Sequence, residues 1–258
     1  MRLGTILGLA LLAVISTSAV ARADDAAPEA SPPPAPSCEV SADMLATESP
    51  LNKVADAVKD SHALEILVVG SRSSTINASE GGAYPARLQA ALRESLPLVA
   101  VNVSVELLPR KTAEEVATEF VKLVANKKPS LVIWQTGTID AMRSIDTDEF
   151  HTAVDDGVTA LQNAGVDVVL MNLQYSPRTE TMISAPPYLD NMRAVAQQHD
   201  VPLFDRFAIM QQWNDQGVFD LFSPSKDIEM AKRVHDCLAR ALSAFIIGAA
   251  HIGPAQQN

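Results

Sequence analysis

The chain has 258 residues, 47% of them hydrophobic, and carries 31 acidic against 20 basic side chains for a formal net charge of −11. A surface that acidic repels phosphate backbones and anionic lipid heads, which argues against nucleic acid as a partner.

Residues 1–23, "MRLGTILGLALLAVISTSAVARA", begin with a positive charge at Arg2, continue with an apolar stretch from Leu3 to Ile15, and close on Ala21-Arg22-Ala23. This layout reads as a secretory signal peptide cleaved after Ala23. The alternative is an uncleaved anchor, since the apolar stretch is almost long enough to span a bilayer. The small-residue ending favours cleavage, and no cysteine follows it, which argues against a lipoprotein. Cleavage removes Arg2 and Arg22 and leaves 235 residues of net charge −13, destined for the periplasm or the exterior. No later run approaches the length of a spanning helix, so no stable membrane insertion is expected after cleavage. Residues 24–37, "DDAAPEASPPPAPS", form a Pro/Ala-rich leader of extended character. One domain is expected over 38–247, followed by a C-terminal tail, 248–258; roughly 210 residues are enough to bury a full core.

In an exported chain the lone cysteines, Cys38 and Cys237, are expected to be bridged, the alternative being two buried thiols. Closing a loop that long stabilises a fold by roughly 4–5 kcal/mol in the chain-entropy account.

Strand-like runs occupy 64–69, 99–107, 131–134 and 166–171, with a shorter fifth at 201–204. "LEILVV", "LVIW" and "VDVVLM" are nearly continuous apolar runs, as strands buried on both faces should be. "VAVNVSVEL" alternates, which places it nearer an edge. Helical patterns lie between them at 84–96, 112–127, 148–165 and 188–200, with a last helix from about 226 to 245. Asp146 with Glu149 reads as a capping box, and Gly165 as a C-terminal stop. Five alternations of strand and helix specify an α/β, doubly wound three-layer sandwich around a mostly parallel five-stranded sheet. Ligand sites in such sheets lie at the carboxyl ends of the strands, here the loops starting at Gly70, Leu108, Thr136, Asn172 and Asp205.

Along those loops, "ILVVGSRSST", "YPARLQAAL", "LVIWQTGTIDAMR", "VVLMNLQYSPR" and "VPLFDRFAIMQQW" resemble the SGNH hydrolases, or GDSL esterases/lipases, and the last three look like one exported bacterial subgroup. The resemblance runs from about Cys38 to Phe245 and implies an SGNH-hydrolase, flavodoxin-like fold. It also implies a serine nucleophile after strand one, a glycine N–H after strand two, an asparagine after strand three and an Asp-x-x-His before the last helix. Serine would attack an ester with histidine as base, and the Ser N–H, Gly N–H and Asn amide would form the oxyanion hole.

Each of these positions departs from the pattern. Counted from Gly70 the nucleophile position is Arg72, and counted back from Thr75 it is Ser73; Ser71 is the other nearby hydroxyl. No glycine lies between Gly82 and Gly137. Ile139, beside Asp140, stands in place of the asparagine, and losing one oxyanion donor costs about 10²–10³ in rate. Asp220 is followed three residues on by Ser223, and Asp227 by Met230, with no histidine in that loop. Of the five histidines, His62 and His199 precede strands, His235 sits mid-helix beside Cys237, and His251 is in the tail. His151 completes the one Asp-x-x-His, from Asp148, on a helix whose acids read as a solvated face.

Basic residues follow all five strands: Arg72, Arg110 with Lys111, Arg143, Arg178 and Arg206. They are candidates for an anion-binding mouth, because guanidinium forks suit carboxylate or phosphate oxygens; the alternative is that they point outward and pair with acids. No spacing of His, Cys and carboxylates resembles a metal-ligand set, and no metal or other cofactor is implied. The expected function is a non-catalytic binding module of the cell envelope, its partner an anionic small molecule or envelope polymer. The alternative is a serine esterase acting on acyl or acetyl esters through Ser73 or Ser71 with an unrecognised base.

Overall fold

The computed structural model describes residues 37–76, 80–222 and 228–252. The signal-peptide and leader expectations, Ser223, the start of the last helix and the end of the tail therefore lie outside the described residues.

Five strands form one sheet: β1 (Ala63–Gly70), β2 (Ala100–Leu107), β3 (Leu131–Gln135), β4 (Asp167–Met171) and β5 (Leu203–Phe204). Their order is β2-β1-β3-β4-β5 and every pairing is parallel. The expected doubly wound sheet is therefore present, all-parallel rather than mostly so. The continuous apolar runs became the inner strands because helices cover both faces there: Ile66–Val69 and all of β3 are buried. β2, which alternates, is an edge strand. Its free backbone groups are covered from the side by the helix that precedes it. Arg93 Nε and Nη2 donate to the Val101 carbonyl at 2.9 and 2.7 Å, and Gln89 Oε1 accepts from Val103 N at 2.8 Å. Such cover protects an edge from pairing with another chain.

The helices are α1 (Ala42–Leu45), α2 (Asn52–Asp56), α3 (Tyr84–Ser95), α4 (Ala113–Ala117), α5 (Phe120–Lys127), α6 (Thr138–Arg143), α7 (Thr147–Asn163), α8 (Pro177–Glu180), α9 (Pro186–Gln198), α10 (Arg206–Asp215) and α11 (Ile228–Ala249). α3 packs with α11, and α7 packs with α4, α5 and α9. The pattern expected as one helix over 112–127 is broken at Thr118–Glu119 into α4 and α5. A reciprocal capping box closes the start of α4, between Thr112 and Glu115. At α7 the Asp146 carboxylate accepts from the backbone N–H groups of Asp148 and Glu149. α7 lies close to β3 because Gly157 has no side chain: a Cβ there would collide with the Trp134 ring, itself edge-on to Phe120.

α11 presents Val234, Cys237, Leu238, Ala241, Leu242, Phe245, Ile246 and Ala249 inward at three- and four-residue spacing. It runs four residues past the expected end. Cys237 is bonded to Cys38, with the two Cα atoms 5.7 Å apart across 199 residues of sequence. The N-terminal segment is thereby stapled to the last helix, as expected. Among the described residues no helix is long and apolar enough to cross a membrane.

Candidate functional site

The sheet order reverses between β1 and β3, so their carboxyl ends flank the crevice where doubly wound folds bind ligands. β1 ends at Gly70 and turns at once into a 3-10 turn, Arg72–Ser74. Gly70 is required there: a Cβ on it would collide with Ser74 Oγ. β3 ends at Gln135, a polar side chain closing an apolar strand. Its amide ties the loop down. Gln135 Nε2 donates to Ser73 Oγ at 2.6 Å, and Gln135 Oε1 accepts from Ser74 Oγ at 2.8 Å and from the Tyr84 hydroxyl at 3.2 Å. Turned the other way, an amide would still offer no atom basic enough to take a serine proton.

Tyr84 opens α3 and is fully buried; burial raises its phenol above the ordinary value, against the Ser74 hydrogen bond and the Arg206 charge. The Tyr84 backbone N–H, unused by the helix, donates to His235 Nδ1 at 2.9 Å. His235 on α11 therefore reaches the carboxyl rim, a placement its mid-helix position did not reveal. Burial, helped by the Arg206 charge, pushes its pKa down to about 4. The imidazole is thus neutral at pH 7, its lone pair facing a backbone N–H and its proton on Nε2. That is a donor, not a base. Among the described residues no imidazole is hydrogen-bonded to Ser71, Ser73 or Ser74.

The other histidines are elsewhere. His62 is exposed before β1, and His251 is exposed beyond α11. His199 ends α9 with Nε2 2.7 Å from Asp155 Oδ1, beyond the amino ends of the strands. His151 lies half-buried on α7. Asp220 accepts from Phe222 N at 3.1 Å in the turn after α10.

The loops after β1, β2 and β3 meet in a narrow crevice. Gly70, Ser71, Gln135, Gly137 and Ile139, with Leu108, Lys111 and Asp140, surround about 20 Å³. Asp140 is buried, and its Oδ1 accepts from Ala113 N at 2.8 Å, pinning the start of α4. Burial raises its carboxyl above the ordinary range, opposed by that N–H. After β2, Arg110 has φ 67°, in the left-handed region that favours glycine.

Most of the strand-end basic residues face solvent. Arg72, Arg110, Arg143 and Arg178 are exposed. Lys111 pairs with Glu119 at 2.9 Å; Arg143 reaches Glu115 at 3.5 Å and the Arg110 carbonyl at 2.8 Å. Arg206 alone turns inward and is 1% exposed. Burial pulls its guanidinium down to about 10, which leaves it charged at neutral pH. Among the described residues, no group of three or more His, Cys, Asp or Glu side chains is placed to hold a metal ion.

The nearby solved structures share this architecture at low identity. TesA superposes with a TM-score of 0.55 and 20% identity over 70% of this chain and 98% of that one. A catalytic mutant of Axe2, an acetylxylan esterase from Geobacillus stearothermophilus, gives 0.54 and 18% over 70% and 94%. A putative lipolytic protein of the G-D-S-L family from Desulfitobacterium hafniense DCB-2 gives 0.52 and 18% over 68% and 98%. These likenesses establish the fold. No curated protein matches the sequence. The model of the non-GDSL lipase-like family matches residues 37–252, nearly all of what lies beyond the leader. The chain belongs to the non-GDSL lipase-like family and has the fold of the SGNH hydrolases.

Proposed function

We propose that this protein is a non-catalytic binding module of the cell envelope, built on the SGNH-hydrolase fold. One observation carries the reading: the Ser73 and Ser74 hydroxyls are both held by the Gln135 amide, and among the described residues no imidazole is hydrogen-bonded to Ser71, Ser73 or Ser74. Without an adjacent base a serine hydroxyl is a poor nucleophile at neutral pH. The engaged lone pair of His235 points the same way. The signal-like leader and the disulfide support an extracytoplasmic location.

A serine esterase is the second reading. An open, largely apolar groove of about 420 Å³, lined by Ala83, Pro85, Val103, Val105 and Leu107, reaches Ser74 and would suit an acyl chain. The test is a fluorophosphonate serine probe together with hydrolysis of a short activated acyl ester, on the mature chain and on Ser73→Ala and Ser71→Ala. We expect no labelling and no turnover above buffer. Labelling or turnover that disappears in either variant establishes the esterase instead.

A further inference from the structure

Arg206 is the first residue of α10, at the carboxyl end of β5, and its side chain is buried. Two of its donors, Nε and Nη2, are buried and without a hydrogen-bond partner. These two N–H groups share one edge of the guanidinium and form its side-on fork. Arg93 uses the same pair, with Nε and Nη2 both on the Val101 carbonyl. On Arg206 the fork is empty.

An empty buried fork is costly twice over. The charge has left water, and two strong donors have nothing to bond. The chain holds 31 carboxylates, yet none of the ion pairs among the described residues includes Arg206. The groups whose electrostatics couple to it, Tyr84 and His235, are no anions at neutral pH. The Tyr84 phenol donates to Gln135 Oε1 and the His235 Nε2–H is a donor, and neither side chain accepts from Arg206 Nε or Nη2. The nearby acceptor Gln135 Oε1 already serves Ser74 and Tyr84. The helix start does not relieve the cost either. The Asp205 carboxylate accepts from Ala208 N at 3.0 Å, and Asn172 Oδ1 accepts from Phe207 N at 2.9 Å, so the first turn of α10 is closed without Arg206.

We propose that Arg206 is the receptor for a carboxylate on the ligand, which accepts two parallel N–H bonds from the Nε and Nη2 fork and supplies the missing counter-charge. Planar carboxylates match that fork bidentately. The inference rests on the reading of this rim as a binding site and names the class of ligand: a carboxylate-bearing molecule such as a uronic acid. The four exposed strand-end arginines do not form the site.

The test is a thermal-shift and calorimetric titration of the mature chain with sodium galacturonate, sodium acetate and sodium phosphate at matched ionic strength, with galactose as the uncharged control. Galacturonate is expected to give a saturable rise in Tm and measurable heat, and galactose none. Arg206→Lys, which keeps the charge and loses the fork, is expected to weaken binding at least tenfold. Arg206→Met is expected to abolish it and, by removing an uncompensated buried charge, to melt no lower than the parent in anion-free buffer. Equal responses in the parent and Arg206→Met overturn the proposal, as does the absence of a saturable response to either carboxylate. Response to phosphate alone overturns the carboxylate assignment. A marked fall in the Tm of Arg206→Met, with no anion response in the parent, makes the guanidinium structural. Serine-dependent ester turnover would strike the non-catalytic reading alone, because the Arg206 comparison is scored on binding.

Discussion

The two edges of the sheet hold similar side chains arranged to opposite ends. Beyond the amino ends of the strands, His199 Nε2 meets Asp155 Oδ1 at 2.7 Å, and Gln198 Nε2 donates to the same oxygen at 2.7 Å. Gln162 Nε2 reaches the His199 carbonyl at 2.9 Å. This is a histidine–carboxylate pair with its supporting amides, and it joins α7 to the end of α9. No serine takes part, and the pair is far along the fold from the switch point. At the carboxyl edge serines follow β1, and the partner of Ser73 and Ser74 is the Gln135 amide. A dyad becomes chemistry only where a nucleophile and a substrate crevice coincide, and this histidine–carboxylate pair lies at the opposite end of the strands from Ser73 and Ser74. Function is therefore carried by the site and not by the scaffold.

The largest effect expected from disturbing the carboxyl edge is in its pH response. His235 titrates near 6.5 in the unfolded chain and at about 4 in the folded one. Above pH 6.5 both states are neutral, and His235 adds no pH dependence. Between 6.5 and 4 the unfolded state takes up a proton that the folded state refuses, so stability falls as the pH falls. The total is about 3 kcal/mol, lost across that window. The variant His235→Asn, whose side-chain amide can still face Tyr84 N, should show an acid limb flatter by that amount in denaturant melts from pH 7 to 4. Asp140 and Asp167, whose carboxyls burial raises, act in the opposite sense and are common to both proteins. Parallel limbs would mean that His235 is not held neutral.

A smaller effect is expected at the clamp itself. Gln135→Leu keeps the volume and leaves the Ser73, Ser74 and Tyr84 hydroxyls without their shared partner, at a cost of about 2 kcal/mol. Urea melts should register that loss, and ester hydrolysis should stay at background. Turnover appearing in this variant would mean that Ser73 was a competent nucleophile restrained by the amide, which reverses the comparison between the edges.

Much of the fold was legible because burial on both faces leaves an unmistakable apolar run. β1, β3 and β4 announce themselves that way, and the alternation of β2 marked it as an edge. The disulfide followed from export and from an unpaired couple of cysteines. The broken helix over 112–127 was hidden, since Thr118 and Glu119 carry no proline or glycine signal. In the site, the departures of Ile139 and of the last loop from the expected pattern could be read directly, but the contacts that hold the loop after β1 could not. Arg206 and Arg178 look alike in sequence, each at the start of a helix after a strand, and only packing turns one inward and leaves the other exposed. His235 did carry a signal: it lies three and seven residues before Leu238 and Leu242, on the apolar stripe of α11, where a polar side chain needs a buried partner. Gln135, a polar residue closing the apolar run "LVIWQ", was the matching clue on β3.

The amino edge provides the smallest and most selective test of the comparison. The side chains of His199 and Asp155 are 14% and 28% exposed, so their pairing is partly screened and should couple by about 1 kcal/mol. A double-mutant cycle with His199→Ala and Asp155→Ala, read by urea unfolding, isolates that coupling from the loss of each side chain. If the pair is a staple between α7 and α9, the cycle should return about 1 kcal/mol. The response of the protein to galacturonate should then be identical in all four members, because Arg206 sits at the other end of the strands. A coupling near zero would remove the staple. An anion response that changes in either single variant would show that the two edges communicate, and that the separation of dyad from nucleophile is incomplete.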